Sequence, residues 1–69
     1  MLSARNQLAG TVKSLVLGNV MAEVVVDIGG GHEVVAAITK RSAEAMNLKV
    51  GDPVKAVIKS TEVLIDKTV

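Results

Sequence analysis

Three short stretches bring hydrogen-bond donors of one kind to three separate parts of the chain. Near the start, "SARN" carries Ser3, Arg5 and Asn6; in the middle, "TKRS" places Thr39 and Ser42 around two cations; toward the end, "KST" carries Lys59, Ser60 and Thr61. Arginine is charged at every working pH and presents its N–H groups in a fixed fork, lysine presents an ammonium, and hydroxyls rotate to suit a partner. Donors of this type, with no carboxylate inside the stretches, suit a small anion. A helix beginning at the middle stretch would add free backbone N–H groups. Each stretch also has an ordinary structural use, as a terminus, a helix cap or a strand end.

Other chemistry is poorly represented. The seven acidic residues form no recognisable pair, and Glu23, Asp27 and Glu44 read as solvated charges. No nucleophile–base motif appears. His32 follows Gly29, Gly30 and Gly31 and reads as a surface turn residue; one histidine without cysteine does not make a zinc site. "GGGHE" links two strand-like runs, whereas a phosphate-binding Walker loop needs G-x-x-x-x-G-K-[ST] between a strand and a helix.

The elements that must position the donors are legible in the hydrophobic pattern. Residues 7–17 read as a first strand, with Gly10 marking a bulge or a close backbone approach. "GN" at 18–19 is turn material, and residues 20–28 alternate, with Val20, Ala22, Val24, Val26 and Ile28 on one face. After the glycine turn, residues 33–39 put Val34, Ala36 and Ile38 inward. The alternation breaks at 40–48, where Ala43, Met46 and Val50 follow a helical stripe and Thr39 or Ser42 supplies the N-cap. "KVGDPV" turns the chain into a fourth strand with Val54, Ala56 and Ile58 inward, and "TEVLI" at 61–65 reads as a fifth. The order β-β-β-α-β-β makes this an all-β chain with one short helix, arranged as an OB-like five-stranded barrel.

Size and composition constrain the assembly and the partners. Sixty-nine residues make a single domain over 1–69, and a chain this short buries only roughly 60% of its unfolded surface. Hydrophobic residues are 49% of the chain and cysteine is absent, so self-association is the remaining way to staple the fold. Val25, Val35, Ala37 and Val57 fall on outer strand faces and point to a subunit interface. A net charge of +1 and the lack of Phe, Tyr and Trp argue against nucleic acid. No apolar run is long enough for a membrane span, and "MLSARNQ" lacks the apolar core of a secretory signal, so the expected location is cytoplasmic.

The segments "SARNQLAGTVKSL", "AAITKRSAEAMNLKVGDPV" and "AVIKSTEVLI" together make residues 2–66 resemble the molbindins, the Mop family of small cytoplasmic molybdate-binding proteins. Similar domains occur at the C-terminus of molybdate-responsive regulators and molybdate transporter ATPases. The resemblance implies an OB-like fold and a homo-oligomer, a hexamer built as a trimer of dimers with anions between subunits. It assigns an N-terminal anion-binding segment to Ser3, Ala4, Arg5 and Asn6, a hydroxyl pair to Thr39 and Ser42, and C-terminal donors to Ile58, Lys59 and Ser60. A second oxyanion site near the threefold axis falls on Asn19, Val20 and Met21.

The bound ligand so implied, molybdate or tungstate, is a tetrahedral dianion that only accepts hydrogen bonds, so an all-donor shell is the chemistry it requires. The expected role is intracellular oxyanion storage and homeostasis, with no enzyme activity, no catalytic cofactor and no direct protein–metal bond. Two other readings are an OB-type nucleic-acid module and an assembly domain in which the oxyanion is only regulatory.

Overall fold

A computed structural model of the chain describes residues 4–67. Strands β1 (Asn6–Leu17), β2 (Met21–Gly29) and β3 (His32–Thr39) run as an antiparallel meander, followed by helix α1 (Lys40–Ala45), strand β4 (Pro53–Ile58) and a 3-10 turn (Ser60–Glu62). One four-stranded sheet results, in the order β3-β2-β1-β4. β1 changes partner along its length: Asn6 to Thr11 pair with β4, and Thr11 to Leu17 pair with β2. That change of partner curls the sheet into a half-barrel whose two edges are β3 and β4.

The period-two pattern places the core. Val12, Ala22, Val24 and Val26 are buried, and Leu15, Ile28, Ala36, Ile38, Leu48 and Val54 pack around them. Val12 is 1% exposed. Both of its backbone groups bond to the loop before β4, its N–H donating to the Asp52 carbonyl (2.9 Å) and its carbonyl accepting from the Gly51 N–H (2.8 Å). Val20, expected on the inner face, lies in the turn before β2 and is 70% exposed.

Gly10 marks a close backbone approach, not a bulge. A Cβ placed there would stand 2.4 Å from the Asp27 carbonyl oxygen. The bulge lies next to it, where the β1–β2 register slips between Val12 and Ser14. The glycine turn is also determined by backbone geometry: Gly29, Gly30 and Gly31 have φ of 90°, 64° and 80°, a region other residues rarely enter. The Asp27 carboxylate accepts the Gly29 N–H at 2.8 Å and braces the turn.

Two sequence expectations are corrected. The helix stops at Ala45 instead of reaching residue 48, because Asn47 takes a left-handed φ of 52° and the Leu48 N–H turns back to the Ala43 carbonyl (3.1 Å). Only Ala43 of the expected stripe is buried; Met46 and Val50 are exposed. The fifth strand is absent from the described sheet, so the barrel is open. Residues 60–62 form the 3-10 turn instead, and Leu64 and Ile65 beyond it are 91% and 89% exposed. After the turn, residues 63–67 pair with none of the described strands.

Candidate functional site

The expected donors gather at two places, each built by strand pairing. The first is where β1 starts and β4 ends. Asn6 pairs with Ile58 in the ladder, and its side-chain Nδ2 donates to the Ile58 carbonyl at 3.2 Å. Antiparallel pairing therefore sets Arg5, one residue before Asn6, beside Lys59, one residue after Ile58. Ala4 is tied in as well, its carbonyl accepting from Gln7 Nε2 at 2.8 Å. Arg5, Lys59 and Ser60 are exposed, and Ile58 is half-buried toward the groove between β3 and β4. Ser3 lies outside the described residues. Asn6 thus acts here as a fastener between the two donor segments, a contact across 52 residues that sequence spacing does not reveal.

The second place is where β3 passes into α1. Thr39 is the N-cap: its Oγ1 accepts the Ser42 N–H at 3.1 Å and donates to Ser42 Oγ at 2.8 Å. The hairpin turn between β1 and β2 meets this corner, since Met21 pairs with Thr39 and the Lys40 N–H donates to the Val20 carbonyl at 2.7 Å. A shallow hollow is lined by Asn19, Val20, Thr39, Lys40, Arg41 and Glu44. Asn19 and Val20 of the expected second site therefore share a hollow with Thr39 of the expected first. Lys40 and Arg41, visible in "TKRS" but assigned no role, supply its cations, and Glu44 brings a carboxylate to its rim. Among the described residues no hydrogen bond links this corner to the Arg5–Lys59 cluster.

The ion pair among the described residues is Lys13 with Glu33, away from both clusters. Its hydrogen bond to Glu33, reinforced by the charge of Glu33 and then of Asp27, holds the Lys13 ammonium above its ordinary value of 10.5. Lys13 therefore stays charged well past neutrality. No group of three or more acidic or histidine side chains is placed to hold a metal ion among the described residues.

The Thr39 cap can be tested on its own. Thr39→Ala removes both hydroxyl contacts and is expected to destabilise the fold by about 0.5–2 kcal/mol, while Thr39→Ser, which keeps the oxygen, should recover most of it. Thermal denaturation of the two variants at one protein concentration makes the comparison.

Fold and donor placement together define a small curled-sheet domain whose cationic and hydroxyl donors sit at strand ends. The chain belongs to the TOBE domain family, whose model matches residues 2–65, and to the Mop proteins that the sequence resembles. It is 47% identical over 64 residues to molybdenum-pterin-binding protein 1 of Clostridium pasteurianum, covering 93% of this chain and 94% of that protein. It is similar in structure, with a TM-score of 0.91 and 46% identity, to a molybdate-binding protein from Sporomusa ovata, over 97% of this chain and 98% of the other. It also matches ModG, a cytoplasmic molybdate-binding protein solved with molybdate bound, with a TM-score of 0.82 and 45% identity over 87% of this chain and 43% of ModG.

No helix among the described residues is long and apolar enough to cross a membrane.

Proposed function

We propose that this chain binds molybdate, or tungstate, as a cytoplasmic storage and buffering protein, and that the anion sits between subunits of a homo-oligomer, a hexamer built as a trimer of dimers. The observation that carries the reading is the pairing of Asn6 with Ile58, which sets Arg5 beside Lys59 and Ser60 in a chain 46% identical to a molybdate-binding protein of the same fold. Two cations and a hydroxyl thus lie on the residues next to the Asn6–Ile58 pair, and the donors at Thr39 and Ser42 belong to a separate corner of the same protomer. A second subunit is what would bring the two sets onto one anion. An N-terminal segment reaching across the interface would add Ser3.

The energetics are adequate. Micromolar affinity needs about 8 kcal/mol. Charge-assisted hydrogen bonds contribute roughly 1.5–3 kcal/mol each, so a few of them with neutral donors reach it after ordering costs. Binding and release would follow the free oxyanion concentration, with no turnover. Relatives are named for a molybdenum–pterin group; a pterin ring favours an aromatic face to stack on, and this chain has no Phe, Tyr or Trp. That favours the free oxyanion.

Sulfate is the informative competitor, being a smaller tetrahedral dianion with the same hydrogen-bond demands. Native mass spectrometry of oxyanion-free protein, titrated with molybdate and separately with sulfate, tests the proposal. The expected result is a six-chain species that takes up a defined number of molybdates and ignores equal sulfate. A monomer, or an oligomer indifferent to the oxyanion, would overturn it.

A further inference from the structure

The Arg5–Lys59 cluster hangs from the last rung of a ladder. Asn6 and Ile58 are the end pair of β1 with β4, and Arg5 and Lys59 are the residues just beyond them, outside either strand. A terminal rung opens at little cost, because it is flanked by pairing on one side only. This one has little help from its surroundings. From Asn6 to Gly10, β1 pairs only with β4, since its pairing with β2 begins at Thr11. Residues 6–9 are exposed. Within the protomer, neither a second ladder nor burial fixes the start of β1.

Charge works to open the rung. Arg5 and Lys59 are both cations, and the ion pair among the described residues is Lys13 with Glu33, so no carboxylate offsets them. Like charges side by side push apart, and they do so most before an anion has arrived to neutralise them.

One side-chain contact crosses the rung and resists this. Asn6 Nδ2 donates to the Ile58 carbonyl at 3.2 Å. Only the nitrogen end of an amide can meet a carbonyl oxygen, so the contact also fixes how the Asn6 amide is turned. The other side-chain contact here, from Gln7 Nε2 to the Ala4 carbonyl at 2.8 Å, lies within one arm and does not tie it to β4.

We infer that Asn6 is a positioning residue for the oxyanion and not one of its ligands: its amide holds the last rung closed, so that Arg5 and Lys59 stand at one spacing before the anion binds. The inference rests on the oxyanion reading above and goes beyond it, since the resemblance groups Asn6 with the residues that touch the anion. The gain lies in the competent fraction. Where the donors converge only while the rung is closed, apparent affinity falls in proportion to the share of molecules in which it is closed.

Asn6→Leu tests this, because leucine keeps the branched shape of the side chain and removes the donor. Molybdate affinity is measured by equilibrium dialysis for the native protein, Asn6→Leu, Arg5→Ala and the double variant, with sedimentation to follow assembly. Asn6→Leu is expected to weaken binding about three- to tenfold, the worth of one tie across the rung. Where Arg5 is already alanine, the same change should cost less than about twofold, because the arm it ties no longer carries a charge to position. Equal losses in both backgrounds would make Asn6 a ligand in its own right and overturn the inference. So would no loss at all, or a loss that tracks dissociation of subunits. Failure of the native protein to bind molybdate would overturn the oxyanion reading, and this inference with it.

Amide hydrogen exchange of the oxyanion-free protein gives a readout independent of the ligand. In Asn6→Leu, exchange over residues 7–10 and 56–59 should quicken at least about threefold, while β2 and β3 keep their native rates. Unchanged exchange at the rung would show that Asn6 is not its fastener. Quickening that spreads through β2 and β3 would mean a general loss of fold. Either result would overturn the inference.

Discussion

Arg5→Ala is expected to lower molybdate affinity by roughly 10- to 150-fold while leaving the fold intact. The range is that of one or two lost charge-assisted hydrogen bonds, at roughly 1.5–3 kcal/mol in total. Arg5 is exposed and precedes β1, so its side chain supports no core packing. Its position beside Lys59 is set by backbone pairing and by the Asn6 contact, which the substitution leaves in place. Affinity is read by isothermal titration, and folding by circular dichroism and melting temperature in the absence of oxyanion. Arg5→Lys should recover only part of the loss, because lysine keeps the charge but not the planar fork. Unchanged affinity in Arg5→Ala would remove Arg5 from the site and leave the Thr39 corner as the remaining candidate.

Gly10→Ala is expected to be the most damaging small substitution in the chain. The added methyl would meet the Asp27 carbonyl oxygen at 2.4 Å, the Val26 Cγ1 at 2.8 Å and the Asp27 carbonyl carbon at 3.1 Å. Two of these are backbone atoms of β2, which cannot rotate aside, so relief requires β1 and β2 to move apart. That opens the curl where β1 changes partner and disturbs Val12 and Val26, both in the core. Overpacking of this kind costs about 1–3 kcal/mol or more, against a total stability of roughly 3–10 kcal/mol for a chain of this size. With about 4–8 °C of melting temperature per kcal/mol, the expected fall is on the order of 10–20 °C. Assembly couples stability to concentration, so native and variant proteins are melted at the same concentration. A melting temperature within a few degrees of the native value would mean that β1 and β2 are not in such close contact at Gly10.

The sequence by itself determined the local elements, because their causes are local. The recurrence of apolar residues at every second position over 20–28 and the apolar run Val34–Ile38 marked two strands, and, Val20 apart, the first of these told which face is buried. Thr39 was legible as a cap, and the run Gly29-Gly30-Gly31 as a turn. Gly10 was legible as an oddity, and its resolution as a close approach needed β2 to be placed beside it. The donor stretches, too, could be read as anion-binding chemistry from residue type alone, and the resemblance they carry was sufficient to name the family.

Tertiary structure decided the rest, because it depends on which strands meet. The apolar run in "TEVLI" says only that the segment suits a strand; whether it pairs depends on an edge within reach, and after the turn at Ser60–Glu62 it joins none of the described strands. The fate of the donors is likewise a matter of pairing. Antiparallel contact of β1 with β4 joins Arg5 to Lys59 across the length of the chain, while pairing of Met21 with Thr39 draws the hydroxyl pair to the hairpin turn instead. Residue types specify what a site of this kind can hold; the ladder specifies which donors one protomer brings together, and so which ones a second protomer would have to supply.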